Sequence, residues 1–441
     1  MDPHLDLIAY LGLALACILL TQGAANVPIL GMLWLCQRSI MSVGGPWYGF
    51  GWETLLAELT FHLLCMVPVV QITALPIHTP VPISTIYALR WLLFRIMMGS
   101  GLIKLRSNDD KWKTLTAMNY FYETMPVPNM WSRYFHRMPE TFHKFETISN
   151  HFIELVLPWL LIIPCPRKWR IQSAVLQIIF QFIIIASGNF SFLNWLTMIP
   201  ALACMDDDAL SFLFPRKKTS AFTTTYTFLR EFGDSIHVSS IRKIVNFVFS
   251  VSIMKLSVPI VKNLMSKKQK MNSSFDKLRL VNTYGAFGVV SEERIELVVE
   301  AATSYQGPWK EYSFKVKPGD ITRTPRWISP YHYRLDWQMW IASTVGIDRS
   351  PWMYNFLLKL LEEDKQVLNL LDCAPDLSKP KYIRVEKYRY KFAKPTRNDE
   401  QPTKNETKSY WTREYVGRFF PRQGILTQEM LKDLVIETQR N

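Results

Sequence analysis

What this chain lacks narrows its chemistry first. It has only six cysteines in 441 residues and no CxxC pair, so thiol–disulfide exchange has no motif to work with. Cys17, Cys36, Cys65, Cys165 and Cys204 lie in or beside apolar segments and read as small packing residues. Cys373 is alone in the C-terminal part, which therefore holds no disulfide of its own even in an oxidising compartment. The GxSxG elbow, HExxH, the P-loop and the GxGxxG dinucleotide fingerprint are absent. No paired ligand cluster accompanies its eight histidines, so no metal and no other cofactor is implied. A polytopic enzyme can still scatter its catalytic groups over several helices, so catalysis stays open at this point.

What is present is apolar and unevenly spread. Hydrophobic residues make up 49% of the chain, with 15 Trp, 18 Tyr and 26 Phe, yet mean hydropathy is only +0.02. Nearly all long apolar runs fall before residue 265. The rest alternates charge with single hydrophobic residues, as a water-soluble domain does. The expected fold is an α-helical polytopic membrane domain (1–264) followed by a soluble α+β domain with antiparallel strands (265–441). A bilayer-crossing helix needs about 20 apolar residues. Candidate spans lie near 5–21, 27–43, 53–75, 83–103, 151–164, 171–187, 190–204 and 244–261, several of them short, which predicts about six to eight crossings. The opening segment has no basic start and no clear cleavage site, so it reads as a retained helix.

Basic residues beside the spans set the orientation. Arg167, Lys168 and Arg170, and then Arg216, Lys217, Lys218, Arg242 and Lys243 in the 205–243 loop, belong on the cytosolic side. The 104–150 loop and the domain after 264 then face the lumen. The sequon at Asn405 in a Lys/Thr/Pro-rich stretch agrees with that placement as a glycosylation candidate, whereas Asn189 and Asn272 begin sequons close to membrane surfaces. A net charge of +14 could point to nucleic acid, but the basic residues are scattered and flank apolar spans, so no nucleic-acid partner is implied.

Ionisable residues within spans are the main chemical clue, because charge in hydrocarbon is costly unless paired or wet. Glu58 and His62 stand one turn apart in the third span, and Arg90 and Arg95 lie in the fourth, so Glu58 could neutralise either arginine. His143, Glu146, Thr147, Asn150 and Glu154 fall along one side of a helix. That stripe is either a site or the wet interfacial end of a packed helix. An intramembrane enzyme would draw on Glu58, Glu154, His143 or His62. A transporter ranks below it, since no inverted repeat is evident. The 104–150 loop carries Trp112, Tyr120, Phe121, Tyr122, Trp131, Tyr134 and Phe135 around a Pro126-Val127-Pro128 turn, too apolar for a loose linker. Its aromatics form either an exposed client-binding face or a belt at the membrane interface, where membrane lipid is the partner.

In the C-terminal part Ile295, Leu297 and Val299 alternate with polar residues, as do Ile383 and Val385 and then Tyr388, Tyr390 and Phe392. The phase slips between Val385 and Tyr388, which predicts a bulge near Glu386-Lys387. Residues 335–345 and 351–364 read as helices, the second with Ser350 as cap and Pro351 at its first position. A strand is also expected at 409–418.

Several blocks closely resemble the lipase maturation factor family: RWLLFRIMMGSGLIKLR, YFYETMPVPN, HKFETISNHFIELVLPWLL, SGNFSFLNWLTMIPALACMDD, SVPIVKNL, VNTYGAFG and SPYHYRLDWQMW. They span most of the chain, and the first of the two paralogous groups is the nearer match. The resemblance implies an endoplasmic-reticulum membrane protein, not an enzyme, that helps secreted dimeric lipases such as lipoprotein lipase and hepatic lipase reach their active form, with other lumenal chaperones as partners. It also implies that an upstream helix and loop of the family pattern are missing here. Tyr331, His332, Tyr333, Arg334, Asp336 and Trp337 match a family motif and are candidates for function or for folding of the lumenal domain.

Overall fold

The structure is a computed structural model that describes residues 3–23, 25–70, 81–213, 236–377, 379–394 and 409–440. It has a helical N-terminal region with several apolar helices, then a part built on a small antiparallel sheet. The N-terminal helices are α1 (Pro3–Gln22), α2 (Val27–Val43), α3 (Gly51–Leu64), α4 (Ile83–Arg106), α5 (Met118–Thr124), α6 (Ser132–His136), α7 (Glu140–Leu155), α8 (Trp159–Ile162), α9 (Arg167–Ser187), α10 (Leu193–Leu202), α11 (Asp207–Leu210) and α12 (Ile236–Met265). Contacts divide the chain into two units: Met1–Leu115, Phe145–Ile184 and Phe192–Val289 form unit 1, and Thr116–Lys144, Ile185–Ser191 and Val290–Asn441 form unit 2.

Four helices of the described chain are long and apolar enough to cross a membrane: α1, α4, α9 and residues 241–265 of α12. The other candidate spans form helices too short to join these four among the described residues, although α2 keeps the expected bounds of 27–43. Asn26 caps α2 by accepting from Ile29 N at 3.0 Å, and α2 then runs only 17 residues. The 151–164 segment is divided, because α7 stops at Leu155 and a single turn, α8, resumes behind Pro158. In place of 190–204 stands the ten-residue α10. The 53–75 span is helical as α3 up to Leu64, and its end at 71–75 lies outside the described residues.

Unit 1 is organised around α4. Of its apolar window 61% is buried, against none for α1. Leu89, Leu92, Leu93, Ile96 and Met97 of α4 meet Leu55 and Leu59 of α3, Phe180 of α9 and Leu196 of α10. Helix α9 shows why a spanning helix can also carry amides. Val175, Leu176, Ile179, Phe182 and Ile183 are exposed along one face, while Ser173, Gln177 and Gln181 are buried on the other. Gln177 Nε2 donates to Ile153 O at 2.9 Å and Asn194 Nδ2 donates to Gln181 Oε1 at 2.8 Å, so these buried amide donors tie α9 to its neighbours. The basic start of α9 meets the 205–243 loop: Arg167 pairs with Asp206, and Arg170 Nε donates to Cys204 O at 2.9 Å.

Unit 2 has a four-stranded antiparallel sheet in the order β2-β1-β3-β4, with β1 (Arg294–Ala302), β2 (Lys310–Glu311), β3 (Tyr382–Phe392) and β4 (Trp411–Phe420). Helix α13 (Arg334–Val345) packs on β1, and α14 (Trp352–Leu361) packs on α16 (Gln428–Arg440), with the single turn α15 (Lys365–Leu368) between. Pro351 takes the cap position of α14, so the helix begins one residue later than expected, and Met353 N donates to Ser350 O at 3.0 Å. The predicted bulge is displaced from β3 to its partner. Strand β3 pairs with β1 in unbroken register from Arg294↔Tyr390 to Ala302↔Tyr382. The shifts occur against β4, where Val416 and Phe419 have no opposite residue. Both faces of β3 are therefore used in turn: Ile383 and Val385 are buried at one end, and Tyr390 and Phe392 join Tyr410 and Trp411 on the opposite face at the other. A central strand covered on alternate faces gives the same phase slip as a bulge.

Candidate functional site

The sequence points to charges inside helices, and the structure shows how each is held. Glu58 and Arg95 are wholly buried and form an ion pair. The other Glu58 oxygen, Oε2, accepts from Asn282 N at 3.0 Å, Asn282 Nδ2 at 2.8 Å and Tyr284 Oη at 2.6 Å. Arg95 Nη1 donates to Asn282 O at 2.7 Å, and its guanidinium lies 5.6 Å from the Trp91 ring centroid. Thus the segment Val281–Gly288 threads against α3 and α4. Room for it comes from Gly99, where a Cβ would stand 2.2 Å from Tyr284 O. Arg90, the other possible partner of Glu58, instead donates Nε to Ala203 O at 3.2 Å and lies over Tyr87. His62 is buried edge-on against Phe249, 5.7 Å between centroids.

A second cluster joins α4 to α7. Lys104 Nζ reaches both Glu154 oxygens, at 2.5 and 2.6 Å, while Asn150 Nδ2 donates to Glu154 Oε2 at 2.9 Å. Lys104 also lies 4.8 Å from the Trp112 ring centroid. His143 is not part of this group. It lies beside Tyr122 in unit 2, about three turns of helix before Glu154. Among the described residues no group of three or more His, Cys, Asp or Glu could hold a metal ion, and all six cysteines are free thiols.

Unit 2 contains a buried network with no sequence motif to announce it. Arg294 donates Nη1 to Glu123 O at 3.0 Å and to Met125 O, Nη2 to Pro126 O at 2.9 Å and Nε to Glu296 Oε1 at 2.7 Å. Lys317 Nζ completes the pair at Glu296 Oε2, 2.9 Å away. Charges spaced two apart on a strand were the available signal, since they share a face. The Tyr331–Trp337 motif divides by exposure: Tyr331 is open to solvent, whereas His332, Asp336 and Trp337 are buried. Tyr331 and Tyr333 meet edge-on at 4.7 Å, and Arg334 opens α13. Asp336 Oδ1 accepts from Val316 N and Lys317 N, both at 2.8 Å, so this residue ties α13 to the chain after β2. Burial holds the Asp336 carboxyl above its ordinary pKa despite those bonds and the nearby Lys317 and Arg323. Burial and Arg334 push His332 down to about 3. His136 Nε2 is 3.6 Å from Glu123 Oε2, but burial, His143 and Arg137 hold it down to about 4, so the contact is not an ion pair at neutral pH.

The aromatic 104–150 loop is partly core. Trp112 and Tyr122 are buried, with Trp112 Nε1 donating to Phe287 O at 2.8 Å, whereas Trp131 and Tyr134 are exposed. Asn189 is buried with its amide committed to Pro128 O and Arg326 O, and Asn272 donates to Gly285 O. Asn405 lies outside the described residues.

The chain matches two families, the lipase maturation factor transmembrane domain over residues 1–212 and the lipase maturation factor C-terminal domain over residues 280–421. It is 43% identical over 434 residues to lipase maturation factor 1 of Mus musculus, covering 96% of this chain and 74% of that protein. Against lipase maturation factor 1 of Homo sapiens it is 42% identical over 432 residues, covering 96% and 75%. Lipase maturation factor 2 of Xenopus tropicalis is more distant, 29% identical over 547 residues, covering 98% and 76%. No solved structure matches.

Proposed function

The chain belongs to the lipase maturation factor family, and from that membership we propose that it is a non-catalytic assembly factor of the endoplasmic-reticulum membrane serving secreted dimeric lipases. The observation that carries this reading is the reach of the likeness, which includes the helical membrane region and the C-terminal part alike. Residues 104–150 and the chain after 264 face the lumen, and 205–243 the cytosol. The Arg167–Asp206 pair supports one side for both of the basic segments that set this orientation. Transient cover of the client's apolar pairing surface would suppress aggregation until its subunits meet.

Geometry bears on the absence of catalysis. Glu58 spends both oxygens on Arg95, Asn282 and Tyr284, and Glu154 spends both on Lys104. Neither carboxylate is poised over an open cleft as a general base would be. The test uses cells deprived of their own maturation factor and given this chain, with secreted lipase mass and lipase activity measured separately. Activity per unit mass should rise with the chain, and an unchanged ratio overturns the reading. Full rescue by Glu58→Gln and Glu154→Gln at normal protein level is expected, and loss of rescue with intact folding would favour an enzyme.

A further inference from the structure

Exposed aromatic residues of unit 2 lie beside segments that are fastened at the end of helix α9. Helix α9 has 21 residues and opens with Arg167 and Lys168. At 1.5 Å per residue it is ~31 Å long, about the thickness of the hydrocarbon core, so its whole length is needed to cross. Ser187 then stands where the hydrocarbon ends. An interfacial layer of about 5–8 Å lies beyond, given a bilayer of about 40–45 Å with headgroups.

Two stretches of unit 2 are fastened at this level by buried side chains. Asn129 Nδ2 donates to Ala186 O at 3.0 Å and Ser132 Oγ donates to Ser187 O at 2.7 Å, which fixes the turn at 129–134. Asn189 Nδ2 donates to Arg326 O at 2.9 Å, while its Oδ1 accepts from Ile328 N at 3.0 Å, which fixes 326–331. The fasteners are buried and their neighbours are not. Trp131, Tyr134, Trp327 and Tyr331 are 46%, 61%, 45% and 63% exposed, and Arg326 is exposed among them.

We propose that Trp131, Tyr134, Trp327 and Tyr331 form an interfacial anchor that seats this face of unit 2 in the phospholipid headgroup layer of the membrane that α9 spans. Indole and phenol rings present an apolar body and a polar tip, the combination favoured at headgroup depth, and Arg326 suits the phosphates there. In water alone the same cluster would be an exposed apolar patch with no compensation. The anchor would hold the unit at a fixed height whatever client it serves, so it does not depend on the lipase reading.

The test uses the full chain reconstituted in phosphatidylcholine–phosphatidylserine vesicles, with a benzophenone amino acid in place of Tyr134, Tyr331 or Tyr305. Tyr305 is the control. It is 60% exposed and lies beyond the far end of β1 from Arg294, which clasps residues 123–126. That is ~26 Å of strand away. Photolysis should yield lipid adducts several-fold more often at positions 134 and 331 than at 305. A second measurement needs no photoprobe: Trp131→Phe and Trp327→Phe should each lower the fraction of tryptophan emission quenched by lipid brominated near the headgroup. Equal lipid adducts at all three positions, unchanged quenching, or adducts at 134 and 331 formed with an added lipase in place of lipid would each overturn the anchor.

Discussion

The two units bury charge by different routes. In unit 1 the helices already satisfy their own backbone, so Glu58 and Glu154 reach across to a base on α4, and an extended segment supplies Asn282 and Tyr284 to one of them. In unit 2 the turn before Pro128 leaves carbonyls without helical or strand partners, and Arg294 gathers those of Glu123, Met125 and Pro126 while pairing with Glu296. One scheme neutralises charge between helices in a region bounded by lipid. The other uses charge to replace missing secondary structure. The first therefore tolerates joint removal of both charges better than the second.

The largest effect should follow Arg294→Met. It strips three carbonyls and Glu296 of their buried donor, a loss of about 3–5 kcal/mol or more. Proteolysis of the full chain in detergent should show unit 2 opening, and no companion change at Glu296 should rescue it, because the carbonyls remain. Unit 1 gives the contrast. Glu58→Ala should cost about 3–5 kcal/mol by leaving Arg95 buried and unpaired, whereas Lys104→Met combined with Glu154→Leu should cost less than about 1.5 kcal/mol, well below either single change. A double change as damaging as the sum of its parts would erase the distinction between the units.

Acid should separate the units more gently. His332 and His136 of unit 2 are held down to about 3 and about 4, so the unfolded chain takes protons near pH 6.5 that the folded chain refuses. Their contribution is complete above 6.5 and is lost as pH falls toward about 4 for His136 and about 3 for His332, at up to ~1.4 kcal/mol per pH unit for each histidine. Asp336 acts in the opposite direction, because its raised pKa makes the folded carboxyl the better proton acceptor as pH approaches the acid range. Denaturant melts of the full chain at pH 7 and pH 5 should show unit 2 weakened at pH 5, with a smaller loss in His332→Gln.

How much of this the sequence could disclose depends on range. Local periodicity announces α1, α4 and α9, the three long strands, and α13, because each rests on neighbours within a few residues. The Glu58–Arg95 pair was one of two options, since both residues belong to adjacent helices. Its completion by Asn282 and Tyr284 comes from more than 200 positions away, and no local pattern encodes that. Lys104 carries no local pattern that sets it apart from other basic residues, although it holds Glu154. In β3 the phase slip was legible and its cause was not, because a bulge and a change of covered face leave the same trace in a single strand. For Arg294 only the pairing with Glu296 leaves a trace, in their spacing of two on a strand, because its other three partners are backbone carbonyls, which carry no residue identity at all.

The smallest effect, and the sharpest about function, belongs to Asp336. Its Oδ1 carries both hydrogen bonds to the 316–317 backbone, while Oδ2 is buried with no hydrogen-bond partner among the described residues. Asp336→Ala removes both bonds and leaves two buried N–H groups without an acceptor, at about 1–3 kcal/mol. Asp336→Asn keeps an oxygen in the Oδ1 position and discards a charge that burial disfavours. Its stability at neutral pH should therefore stay within about 1 kcal/mol of the parent, measured by thermal or denaturant melts. If the residue serves only to dock α13, lipase activity per unit mass should survive in Asp336→Asn and fall in Asp336→Ala in proportion to lost folding. A stable Asp336→Asn protein that no longer supports lipase activity would instead give this buried carboxylate a direct part in maturation, and unit 2 would differ from unit 1 in function as well as in how it holds its charges.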